Sequence, residues 1–210
     1  MATRLNAAYV GNSEDFRSNA KIVKFSVVGG HQDQEIAQEQ ELASFETLML
    51  PHLDAAYNLA KWLLRNEDDA RDVVQEAYLR AFKSFGGFHG SNGRPWLLTI
   101  VRNTAYNLIK KNQTAHLTTT FDEDEQVGDR ESPSPATLLV QDEESKLVRR
   151  AIDQLPEEFR EILVLRHLEG LSYKEIAEVA HLAPGTVMSR LARARGKLRE
   201  FLKTDVGKEI

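Results

Sequence analysis

Cysteine is absent from the 210 residues, which excludes disulfide staples, thiolate metal sites and thiol nucleophiles together and suits a reducing compartment. Long apolar runs are missing too. None approaches the roughly 20 residues needed to cross a bilayer, and the opening "MATRLNAAYVGNSEDF" lacks the apolar centre of a secretory signal. The expected location is therefore cytoplasmic, without insertion into a membrane. Apolar and polar residues nowhere alternate with period two for long enough to build a sheet, and no internal repeat stands out, so the fold expected is all-α.

What is present is 41% hydrophobic and 28% charged, the balance of a globular protein with room for one large domain or two small ones. The formal net charge of -5 argues against indiscriminate polyanion binding, but the charge is segregated along the chain. Between Pro184 and Lys203 stand Arg190, Arg193, Arg195, Lys197, Arg199 and Lys203 against the lone acid Glu200, whereas Asp122 to Glu131 holds Asp122, Glu123, Asp124, Glu125, Asp129 and Glu131 against only Arg130.

Residues 1–44 have weak periodicity and read as an N-terminal extension, disordered or ordered by a partner, although its run "HQDQEIAQEQE" could begin a helix. Helical spacing then takes over. "LPHLDAAYNLAKWLLRN" places Leu53, Ala56, Tyr57, Leu59, Ala60, Leu63 and Leu64 on one side, with Pro51 as its opening residue. "NEDDARDVVQEAYLRAFKSF" offers Asn66 as a cap and three acids for the positive helix start. In "RPWLLTIVRNTAYNLIKK", opened by Pro95, the stripe is Trp96, Leu97, Ile100, Val101, Ala105 and Leu108, which assigns Trp96 to the core rather than to a ligand. These helices define a domain over 45–113. A linker rich in acid, Ser, Thr and Pro spans 114–137. A second helical domain, 138–210, contains "LLVQDEESKLVRRAIDQL", then "PEEFREILVLRHLEG" between Pro156 and Gly170, and a final pair of helices.

That final pair is "SYKEIAEVAHLAPGTVMSRLARARGKL". Ser172 followed by Glu175 is a capping box and fixes a helix start. Ile176, Ala177, Val179 and Ala180 face inward, Leu182 plugs the corner, and Pro184 restarts a helix. At about 100° per residue, Val187, Leu191, Ala194 and Leu198 form its buried stripe. The opposite sector holds Ser189, Ala192, Arg193 and Gly196, bordered by Arg190 and Lys197 on one side and Met188, Arg195 and Arg199 on the other. Small residues would let this helix sink toward base edges while flanking cations hold phosphates, the arrangement of a helix-turn-helix entering a major groove.

The segment "LPEEFREILVLRHLEGLSYKEIAEVAHLAPGTVMSRLARARGKL" resembles the C-terminal domain of bacterial sigma factors of the extracytoplasmic-function (ECF) group. "DARDVVQEAYLRAFKSF" and "RPWLLTIVRNTAYNLIKK" independently resemble that group's polymerase-binding and promoter-melting helices. The resemblance implies a protein without catalytic residues, metal or cofactor of its own, which joins core RNA polymerase and directs it to promoter DNA. Carried over by position, Asp72, Gln75, Glu76, Leu79 and Arg80 would meet the clamp helices of the largest polymerase subunit, and the C-terminal domain the flap of the second-largest. Phe88, His89, Ser91 and Asn92 of the loop "GGFHGSNG" would hold an unstacked base of the minus-ten element. Asn103, Tyr106, Asn107 and Lys110 would continue that track. Lys174, Thr186, Met188, Ser189, Arg190, Ala192, Arg193 and Lys197 would contact the minus-thirty-five element. An anti-sigma factor is a candidate partner, since family members are commonly held by one.

Departures from the pattern bear on promoter sequence. Met188 stands where the family very often carries Lys or Arg, and His181 occupies a corner position that is often glycine. Two other functions compete. A dimeric helix-turn-helix regulator would need a sensing domain and a dimer surface, yet the N-terminal half shows neither βα alternation nor sustained heptads. A recombinase-type enzyme would need clustered carboxylates or an activated hydroxyl, and Asp68, Asp69 and Asp72 are explained by their helix start.

Overall fold

The computed structural model describes residues 32–90, 92–118 and 141–206, and among these every regular element is helical. The acidic stretch from 119 to 137, and with it most of the expected linker, lies outside the described residues, as do residues 1–31. Helix α1, Gln32–Met49, starts within the segment expected to be an extension. A 3₁₀ turn, Leu50–His52, takes Pro51, and α2 runs from Leu53 to Leu64. The proline thus precedes the α-helix instead of opening it, because its fixed φ suits the tighter turn equally well. Arg65 ends α2 in the left-handed conformation at φ 57°.

Helix α3, Glu67–Lys83, begins where the cap residue predicts: the Asn66 side chain accepts from the Asp68 and Asp69 amides at 2.9 and 3.1 Å. Its inward stripe, Ala70, Val73, Val74, Ala77 and Ala81, is buried. A 3₁₀ turn at Phe85–Gly87 leads into the loop before α4, Gly93–Thr118. Helices α2, α3 and α4 pack against one another around Leu59, Val74, Leu97 and Val101. Helix α1 closes the far side: Phe45 stands edge-on to Tyr78, Phe82 and Phe85, and the Tyr78 hydroxyl donates to the Met49 carbonyl at 2.8 Å.

The C-terminal domain comprises α5, Gln141–Asp153, and α6, Glu157–Leu163, which continues through a π-helical stretch, Val164–Leu168. Gly170 ends it at φ +66°, a backbone angle open to glycine at little cost. Helices α7, Tyr173–Ala180, and α8, Pro184–Val206, follow. Both halves of the Ser172–Glu175 capping box are formed, at 3.2 and 2.8 Å. His181 makes the corner in the left-handed region, φ 53° and ψ 48°. Ile176, Ala177, Val179 and Ala180 of α7 and Val187, Leu191 and Ala194 of α8 are buried, so the helical phase gave the core faces correctly.

The two domains share an interface, which widens the buried faces beyond single stripes. On α2, Ala55 and Trp62 are buried in addition to the expected positions, and on α4 Leu98 is fully buried. These are the sides on which α6 meets α2 and α7 meets α4. A helix packed on two sides loses the clean amphipathic period of a surface helix.

Candidate nucleic-acid and protein interfaces

On α3 the side opposite the core carries Asp72, Gln75, Glu76, Leu79 and Arg80, all exposed. Positions three and four apart bring them into one row along about two turns. Arg80 Nε donates to Glu76 Oε1 at 2.6 Å within the row, a solvent-bathed pair that contributes little to stability. Leu79, 37% exposed, adds an apolar centre between the charges, and a face of this composition suits protein contact.

The loop joining α3 to α4 is built on aromatic packing. Phe85 stacks on Phe88 with centroids 6.1 Å apart, and Phe88 lies 4.8 Å from Trp96. Both rings pack against the hydrophobic core, so Trp96 sits where the stripe predicts. Phe88 is half-buried beneath the loop, whose Gly90 passes so close that a Cβ there would lie 3.0 Å from the ring. Above this floor His89 and Asn92 are exposed; Ser91 lies outside the described residues. Along α4, Asn103, Asn107 and Lys110 are exposed, while Tyr106 on the same strip is half-buried.

The C-terminal domain engages one end and one border of this strip through carboxylates. Asn92 Nδ2 donates to Glu175 Oε1 at 2.8 Å. Arg94 pairs with Glu169 at 2.6 Å, and Asn58 donates to the same carboxylate at 3.4 Å. Arg102 pairs with Glu161, which also accepts from the Tyr106 hydroxyl at 3.2 Å. The Arg102 guanidinium lies 4.6 Å from the Tyr106 ring centre. In return, Arg160 reaches into the N-terminal domain and donates to the Trp62 carbonyl at 2.9 Å.

Burial makes this network consequential. Burial pushes the Glu169 carboxyl above its ordinary range, against the pull of Arg94, and both burial and the Glu161 charge push the Tyr106 phenol upward. Glu175 moves the opposite way, because hydrogen bonds from Ser172 favour its charged form. Sequence reasoning had no role for Glu161 or Glu169. Their only signal was a pair of acids on either side of the apolar run "ILVL" in "FREILVLRHLEG".

The upstream candidates gather on α8 and its neighbour. Lys174, Met188, Ser189, Ala192, Arg193 and Lys197 are exposed, and Thr186 and Arg190 are half-buried. Ser189 donates its hydroxyl to the Thr186 carbonyl at 3.0 Å. Arg190 turns toward Glu158, 3.4 Å away, and Arg195 donates to His167 Nε2 at 3.2 Å. Burial and the nearby Arg195 charge push the His167 pKa down. Beside this pair an apolar cleft of about 340 Å³ opens between α5, α6 and α8, lined by Val148, Ile152, Leu168, Leu198 and Leu202. Among the described residues no helix is long and apolar enough to cross a membrane, and no cluster of side chains could hold a metal ion.

Comparison with known proteins places these surfaces in context. Residues 48–115 match the model of Sigma-70 region 2, and residues 145–198 that of Sigma-70, region 4. The chain is 35% identical over 184 residues to the RNA polymerase sigma-H factor of Pseudomonas aeruginosa, covering 82% of this chain and 94% of that one. It is 32% identical over 161 residues to the ECF RNA polymerase sigma factor SigE of Mycolicibacterium smegmatis, covering 77% and 62%. Among solved structures, it resembles the sigma factor RpoE in complex with the anti-sigma factor NepR from Bartonella quintana, with a TM-score of 0.61, 31% identity and coverage of 77% and 98%.

Proposed function

Because the chain belongs to the ECF group of RNA polymerase sigma factors, we propose that its three outward surfaces divide promoter recognition among them. The α3 row docks on the clamp helices of the largest polymerase subunit. The loop before α4, with Asn103, Tyr106, Asn107 and Lys110, holds the melted minus-ten strand. Helix α8 enters the major groove of the minus-thirty-five element, and the apolar cleft beside it receives the flap of the second-largest subunit. The protein then acts by placement and strand capture, with no covalent chemistry of its own, in the cytoplasm where polymerase works.

The observation that carries this reading is the basic outer face of α8 on a capped helix-turn-helix, on the same chain as an exposed α3 row and a glycine-bounded loop. Phe88 modifies the picture. Packed on Phe85 and Trp96, it forms the floor of the base-holding loop, leaving His89 and Asn92 to make polar contacts.

The interdomain network adds a condition. Glu175 and Glu161 hold carboxylates against Asn92 and Tyr106, where the phosphates of a captured strand would be repelled, so promoter engagement is expected to part the domains. The structure resembled at a TM-score of 0.61 is a sigma factor in complex with an anti-sigma factor, which supports an anti-sigma factor as a partner of this chain.

The test is in vitro transcription with core polymerase on genomic fragments. Promoter-specific initiation that depends on the added protein supports the reading. Protection of a palindrome by a dimer without polymerase would refute it.

A further inference from the structure

We infer that Met188 is a specificity-determining residue that reads the C5-methyl group of a thymine in the upstream element. This rests on the proposed entry of α8 into the major groove and deepens it by naming the base chemistry at one step.

The turn of α8 that carries Met188 has little hydrogen-bonding capacity toward solvent. Arg190 is directed to Glu158 at 3.4 Å, with 28% of its side chain exposed. Ser189 spends its only hydroxyl proton on the Thr186 carbonyl and keeps acceptor lone pairs. Ala192, one turn beyond Met188, offers a methyl group. Met188 itself is 55% exposed, the most open of the large apolar side chains among the described residues.

An exposed methionine on a monomer's surface needs no explanation by itself. Here the surroundings are specific: Arg195 and Arg199 border the outer sector on the same side as Met188, Arg193 lies within that sector and Lys197 on its far border, all of them exposed, and their charge complements a phosphate backbone. A thioether chain pressed into a major groove satisfies neither the N7 and O6 acceptors of guanine nor the N4 donor of cytosine. It does fit the one apolar feature of the groove edge, the thymine methyl. Three rotatable bonds let the side chain settle on that methyl without demanding one backbone distance.

The experiment uses holoenzyme assembled from this chain and core polymerase, on duplexes selected from a pool randomised across the upstream element. Each thymine of the selected element is replaced in turn by uracil, which removes the methyl and nothing else. One step is expected to lose about three- to fivefold in affinity on losing a buried methyl, and Met188→Ala is expected to abolish that difference at that step alone. Met188→Arg is expected to move the preferred base there to guanine. Position 188 is exposed, so both variants should fold, which circular dichroism checks.

A thymine-to-uracil loss that survives Met188→Ala overturns the inference. So does a protected upstream element in which no such step exists, while leaving the placement of α8 intact. Absence of any upstream protection by the wild-type holoenzyme overturns the placement of α8 together with it.

Discussion

Asn92, in the loop proposed to hold the melted strand, donates its side-chain amide at 2.8 Å to Glu175, whose other oxygen accepts the Ser172 amide in the capping box of α7. One carboxylate therefore starts a helix in one domain and holds a loop in the other. Glu161 and Glu169 repeat the theme more deeply. They are 1% and 5% exposed and are paired with Arg102 and Arg94 across the same interface. Buried pairs of this kind contribute little net stability when intact, but losing one partner is costly because the other stays desolvated.

Glu161→Ala should therefore loosen the closed arrangement. It strands Arg102, whose side chain is 18% exposed, and removes the acceptor of the Tyr106 hydroxyl, a cost to the closed form of roughly 3 kcal/mol. Combined with Glu169→Ala, the expected result is a larger radius of gyration by small-angle scattering with unchanged helix content. An unchanged radius would show that apolar packing alone holds the domains together.

The fold was legible where one helix face meets one core. The stripes of α3 and α8, the Asn66 cap and the capping box all lie where spacing and local chemistry put them, because each depends on residues within about a turn. The aromatic floor under the loop was half legible: the stripe placed Trp96 in the core, but nothing in the sequence announces that Phe88 packs on it. The interdomain contacts were not legible. Arg102 and Glu161 lie 59 residues apart, and their pairing depends on how two separately predicted domains dock. The extra burial of Ala55, Trp62 and Leu98 has the same origin.

The capping box gives a direct stability prediction. Ser172→Ala removes the acceptor of the Glu175 amide and should cost about 1 kcal/mol, read as a lowered denaturation midpoint with unchanged slope. Ser172→Asp, which can still cap, should recover most of the loss.

His167 gives a pH prediction. Its pKa is pushed down by burial and by Arg195 and Arg166, so the folded chain binds its proton less readily than the unfolded chain does. Stability from this group is complete above the ordinary histidine value of about 6.5 and is lost as pH falls through that value toward the folded one. His167→Gln should flatten this part of the stability profile. An unchanged profile would show that His167 does not titrate differently on folding.

The α3 row gives a binding prediction. Gln75 and Glu76 are exposed, so Gln75→Ala with Glu76→Ala should leave the fold intact while lowering the yield of co-purified core polymerase. Undiminished yield would remove both from the interface. Arg193→Ala addresses the other end of the molecule and should weaken upstream recognition by roughly 1–3 kcal/mol if the guanidinium meets a base edge.

His181 sets two backbone effects against each other. At φ 53° a residue with a Cβ pays about 1–2 kcal/mol relative to the right-handed region, a strain that glycine escapes. Glycine also gains freedom in the unfolded chain, which costs the folded state roughly 0.5–1 kcal/mol. The difference favours glycine by up to about 1.5 kcal/mol, so His181→Gly should raise the denaturation midpoint, while His181→Val, branched at Cβ, should lower it. The imidazole is exposed, which leaves little packing for the substitution to remove. A destabilised glycine variant would mean that the imidazole makes a stabilising contact that outweighs its strained backbone.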